Sequence, residues 1–162
     1  MEYGSIGKLA KQESNVKSAI FRLAFEIGSR YRRISRSKFP SLPFLKSPEP
    51  PRSLKEKRKI SALKRYCMYF RWMIRDEPPD FGLWKFFDKS DLFYPLDTHV
   101  TRILYRWNVL PDTQANWLNV EIATEYFKQV LWEDPLRFDY HLVTFGQKIC
   151  TKNPLNIKLF NF

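Results

Sequence analysis

Glycine is scarce, with 5 in 162 residues. A fold built on glycine-dependent turns, or a glycine loop cradling a phosphate, is therefore not expected. Cysteine is scarcer still. Cys67 and Cys150 each lie inside an expected helix and neither belongs to a CxxC pair. They read as buried thiols of a cytosolic protein, not as a disulfide or a metal site. No apolar run reaches the ~18 residues that cross a bilayer, and no N-terminal stretch joins a basic start to an apolar run. Membrane spanning and secretion are not expected, and a cytoplasmic location is. Strand patterns are also few and no repeat is visible, so the fold class is all-α.

Acidic residues are few in the front of the chain. Residues 1–75 carry 19 Lys and Arg against 5 Asp and Glu, whereas residues 76–162 carry 9 against 12, within a formal net charge of +11. So basic a front half predicts an anionic partner, with a nucleic-acid backbone as the default and a merely solvated basic surface as the alternative. Apolar material is plentiful: 44% hydrophobic and 17% aromatic, enough for a packed core.

Apolar periodicity locates the helices. Val16, Ile20, Leu23, Ala24, Ile27 and Tyr31 share one face of 15–33. A basic cluster (Arg30, Arg32, Arg33, Arg36, Lys38) follows, then a proline-rich connector, 34–53, that forbids a continuous helix. One helix is expected over 54–75, with Leu63, Tyr66, Phe70, Met73 and Ile74 buried and Lys57, Lys64, Arg71 and Arg75 on the opposite side. Prolines 78 and 79 end it. Asp80-Phe81-Gly82 matches a kinase metal-binding triplet, but nothing else of a kinase is present. After Asp97, Val100, Ile103, Leu104 and Trp107 predict a helix with Asp97 as its N-cap. Trp117, Val120, Ala123, Phe127, Val130 and Leu131 predict another. A final one, capped by Asp134, is expected to turn Phe138, Leu142, Phe145 and Ile149 inward. The expected division is 1–53 as helix plus connector, 54–150 as a helical core and 151–162 as a tail.

The stretch "PLDTHVTRILYRW" resembles the aspartate-bearing segment of the helix-hairpin-helix DNA glycosylase superfamily, which includes endonuclease III and the archaeal oxidised-guanine glycosylase. Residues 59–150 are more closely similar to an uncharacterised family placed in that superfamily. "SALKRYCMYFRWMIRDEPPDFGLWKF", "PLDTHVTRI" and "WEDPLRFDYHLVTFGQKIC" occur in the order and at the spacing of that family. The resemblance implies a two-lobed helical fold and base-excision repair of double-stranded DNA, in which a lysine attacks the sugar C1′, expels the damaged base and forms a Schiff base. Lys64, 33 residues before Asp97, is the best match to that lysine, ahead of Lys59 and Lys57.

The chemistry needs such a pair. A lysine is a nucleophile only when neutral, so its ordinary pKa of ~10.4 must fall, through partial burial or nearby cations such as Arg65, Arg71 and Arg75. A carboxylate at a helix N-terminus is held ionised and can stabilise positive charge building on the sugar. The expected DNA contacts are Lys57, Lys59, Arg65, Arg71, Arg75, His99 and Arg102. His141, on a mostly apolar stripe, reads as a core residue, and Trp72, Trp84 and Trp107 as two or more core residues with stacking on an extruded base as the other use. No metal, iron–sulfur cluster or other cofactor is expected, because "GQKICTKNPLN" offers only Cys150. Residues 52–63 contain no glycine, so a phosphate would be gripped by Lys and Arg side chains. "MEYGSIGKL" resembles a segment from inside the longer family domain, which implies a shortened N-terminal lobe. The chain is expected to act as a monomer. The alternative is a non-catalytic nucleic-acid-binding module that keeps the fold, with Asp97 a plain cap and Lys64 a solvated charge; an RNA-associated protein is a third reading.

Overall fold

The computed structural model describes residues 6–34 and 50–152, with backbone alone for 31–34 and 146–152. The described residues are helical: α1 Ile6–Lys11, α2 Val16–Ile34, α3 Leu54–Lys59, α4 Lys64–Ile74, α5 Thr98–Arg106, α6 Trp117–Val130 and α7 Asp139–Lys152, with a 3₁₀ turn at Lys89–Asp91. The only pairing of strand type among them is an isolated bridge, Ser61 to Asn116. Most of the proline-rich connector, the side chains of Arg32, Arg33, Arg36, Lys38, Ile149 and Cys150, and most of the tail lie outside the described residues.

Short polar side chains start the helices. Asn15 accepts the Ser18 amide ahead of α2, Ser53 the Glu56 amide in α3, and Asn116 the Asn119 amide in α6, each satisfying an amide that the helix itself leaves unpaired. The apolar faces then meet in one buried cluster that runs from Leu9 in α1 to Leu142 in α7. Helices α1 and α2 share that core: Phe21 meets Trp117 edge-on with ring centroids 4.8 Å apart, and both are fully buried. Burying each such ring is worth roughly 2–3 kcal/mol.

The single helix expected over 54–75 is two helices. After Lys59 the chain leaves helical geometry, and Leu63 adopts the left-handed conformation (φ 48°, ψ 31°) before α4 begins at Lys64. The turn is pinned from across the fold. The Ala62 amide donates to Ala115 and the Trp117 amide to Ile60, both at 2.9 Å, binding residues 60–62 to the start of α6. Periodicity did predict most of the α4 stripe: Leu63, Tyr66, Phe70 and Ile74 are buried, while Met73 is half-buried against the core.

The last helix also starts later than expected. Asp134 caps the Leu136 amide within a turn, and α7 begins at Asp139. Leu142 is buried, but Phe138 and Phe145 face solvent, because the helix starting at Asp139 packs on α5 through a different stripe. His141 is exposed, not core. Of the three tryptophans named above, only Trp84 is buried, so the expectation of two in the core is corrected.

Candidate active site

Asp97 is the N-cap of α5. Its Oδ1 accepts the His99 and Val100 amides at 2.9 and 2.8 Å, which leaves Oδ2 for a second partner. That partner is Lys64, the first residue of α4, whose Nζ donates to Oδ2 at 2.9 Å. Two helix beginnings therefore converge, one giving a carboxylate and the other an amine. The Asp97 side chain is 16% exposed and that of Lys64 41%, so the amine reaches solvent while its counter-ion is shielded. Burial alone would raise the Asp97 proton affinity. The Val100 amide, the Lys64 ammonium and the His99 amide outweigh it, and the carboxyl titrates below its ordinary range.

A sequence profile for the family described as protein of unknown function (DUF2400) matches residues 3–148. The chain belongs to this family. No match was found among curated proteins or among solved structures.

In this DUF2400 chain the expected DNA contacts divide. Arg65, beside Lys64, and Arg102, on α5, are exposed. Lys59 is exposed too, and with Pro50, Pro51, Arg52, Glu56 and Ile60 it lines an open groove of about 310 Å³. His99 is half-buried, its amide on Asp97 and its Nδ1 shielded without a hydrogen-bond partner. Lys57 is instead committed to Glu121, a carboxylate on α6 that also accepts Lys17 of α2 and the Trp117 indole N–H.

Arg71 and Arg75 are corrected: neither lies on an outer basic strip. Arg71 donates to Asp80 at 3.2 Å and to Asp139 at 2.5 Å; Arg75 donates to Asp80 at 2.6 Å and to Asp134 at 2.8 and 3.1 Å. Both are buried, as are the side chains of all three aspartates. The physical reason is that α4 is crossed on this side by the chain returning through 76–84 and by the turn before α7, which bring carboxylates to it. Gly82 permits that return. Its φ is +58°, and a Cβ there would stand 2.7 Å from the Asp76 Cα. The Asp80-Phe81-Gly82 triplet thus places a carboxylate on two arginines and then turns the chain.

Asp139 is the residue near the pair that the sequence reading did not single out. The one signal for it was the acidic spacing in "WEDPLRFDY". Cys67 is buried, its thiol on the Ala62 carbonyl, and burial pushes its pKa well above the ordinary value. Among the described residues no group of three or more His, Cys, Asp or Glu could hold a metal ion, and no helix is long and apolar enough to cross a membrane.

Proposed function

We propose that this protein is a base-excision DNA glycosylase with abasic-site lyase activity, with Lys64 as nucleophile and Asp97 as its electrostatic partner. One observation carries the reading: the 2.9 Å contact that joins the first residue of α4 to the N-cap of α5. The motif resemblance to helix-hairpin-helix glycosylases supports it. The double-stranded DNA partner is part of the same proposal. Lys59, Arg65 and Arg102 are its phosphate contacts, and Arg71 and Arg75 hold the protein together instead.

The chemistry follows from the pair. Lys64 sheds one proton to solvent on its exposed side, and its nitrogen bonds to C1′ as the C1′–base bond breaks and the base leaves with the electron pair. Positive charge on the sugar is met by Asp97, whose amide donors keep it ionised and therefore a charge stabiliser, not a base. Ring opening to the Schiff base then permits elimination of the 3′ phosphate. The test is borohydride trapping on duplexes that carry an oxidised base or an abasic site. A covalent adduct is expected from the wild type and none from Lys64→Ala, with circular dichroism of the two unchanged. An equal adduct yield from Lys64→Ala refutes the assignment. Salt-steep binding with no adduct at all would favour the non-catalytic module.

A further inference from the structure

Among the described side chains of α7, one half of the helix is left uncovered. At about 100° per residue, Leu142, Asp139 and Val143 occupy the arc turned toward α5 and the core. The opposite arc runs from Tyr140 through His141 to Phe145 and Phe138, and all four are exposed. The turn that enters α7 adds Trp132, and the end of α6 adds Val130. Tyr94 holds the two helix ends side by side. Its ring stacks on Phe127 of α6 with centroids 4.6 Å apart, and its hydroxyl lies against Asp139 at the start of α7. Trp132 and Tyr140 are 68% and 67% exposed, and with Val130, Phe138 and Phe145 they offer on the order of 500 Å² of apolar surface. That is the upper end of what a monomer leaves bare, and with a polar rim it approaches the roughly 800 Å² that each partner gives to a standard interface.

The charge of this surface decides what it fits. The chain carries a formal net charge of +11, yet the exposed charged side chains within 130–145 are one carboxylate, Glu133, and one guanidinium, Arg137. Neither has an ion-pair partner among the described residues. A neutral aromatic face exerts no pull on a phosphate backbone or an anionic lipid surface. It is, however, complementary to itself. Under a two-fold axis the same patch meets from both sides, so an unpaired acid and an unpaired base on one copy answer those on the other. We propose that this face is a self-association surface through which two copies of the chain form a symmetric dimer, in place of the monomer expected from the sequence. The aromatic side chains close its centre, and the Glu133 carboxylate of each copy faces the Arg137 guanidinium of the other. The proposal is independent of the chemistry assigned to Lys64 and Asp97.

Sedimentation velocity of the full chain, without nucleic acid and over a wide concentration series, tests it. The mass is expected to rise with concentration to twice that of one chain. Trp132→Glu and Tyr140→Glu replace exposed side chains, so circular dichroism stays unchanged while the dimer dissociation constant rises by about tenfold or more. Leu54→Glu, comparably exposed on α3, leaves it unmoved. Glu133→Arg and Arg137→Glu each weaken the dimer, and the two together restore it. A chain that stays monomeric throughout overturns the proposal, since the face would then belong to another occupant, such as the apolar tail 153–162 or a different protein. A dimer as indifferent to Trp132→Glu and Tyr140→Glu as to Leu54→Glu overturns it, as does one that forms only when duplex DNA is added. A double charge exchange that fails to restore association overturns the two-fold pairing.

Discussion

Asp97 and Asp139 are both shielded from water, yet their proton affinities move in opposite directions. Asp97 has two backbone amides and an ammonium for its two oxygens, so its charged form wins. Asp139 is buried more deeply, and the Arg71 guanidinium does not offset that burial, so burial wins. Their effects on stability are therefore opposite in sign. The folded Asp97 binds its proton more weakly than the unfolded chain does, so its contribution is full above the unfolded pKa of about 3.9 and is lost as pH falls through the lower folded value. The folded Asp139 binds its proton more tightly, so its contribution is full below about 3.9 and is lost as pH rises to about 6. Comparing stabilities from urea denaturation at pH 4.5 and 6.5, Asp139→Asn is expected to remove a fall on the order of 2 kcal/mol between those two pH values. A wild type and variant with the same pH slope would contradict this.

At the scale of elements, the turn before α4 sets the site. Lys64 starts a helix only because the chain breaks at Leu63, and Leu63 takes a left-handed conformation that disfavours any side chain with a Cβ. Its side chain is buried, so replacing it loses packing whatever the replacement. The conformational part is isolated by comparing two small residues. Leu63→Gly is expected to be more stable than Leu63→Ala by about 1 kcal/mol in chemical denaturation, the reverse of their order within a helix. This break was not legible in the sequence. Ala62 and Leu63 continue the apolar period, no glycine marks the turn, and the hydrogen bonds that pin it come from Ala115 and Trp117, more than fifty residues away. By contrast, Asp97 and its helix were legible, because a cap and a 3.6-residue stripe are local signals. The Lys64–Asp97 contact itself was reached through motif resemblance and spacing; no local signal contains it. Arg71 and Arg75 were misread for a related reason. Periodicity assigns a basic residue to the polar face of a helix, and says nothing of aspartates 5, 59 and 68 positions distant that bring that face inside.

Across the whole molecule, the excess of basic charge in residues 1–75 becomes less available than the count implies. Lys17 and Lys57 are drawn to Glu121, and Arg71 and Arg75 to the buried aspartates. If Lys59, Arg65 and Arg102 supply the described phosphate contacts, these three give a log K against log salt slope of about −3, before any contribution from residues 35–49. Replacing any one of them with alanine is expected to make the slope shallower by about 1, and Arg75→Ala to leave it unchanged while lowering stability. Fluorescence anisotropy on a duplex over a salt series separates the two classes.

Helix α3 contains no buried residue. It is attached by the Lys57–Glu121 and Arg58–Asp112 ion pairs and by the strapped turn that follows it, whereas α4 buries Tyr66, Cys67, Phe70, Arg71 and Ile74. In hydrogen exchange the amides of α3 should therefore open well before those of α4, as a separate low-energy unit. The lysine at position 64 would keep its partner on α5 while the short helix before it comes and goes, so the pair outlasts the segment that leads to it.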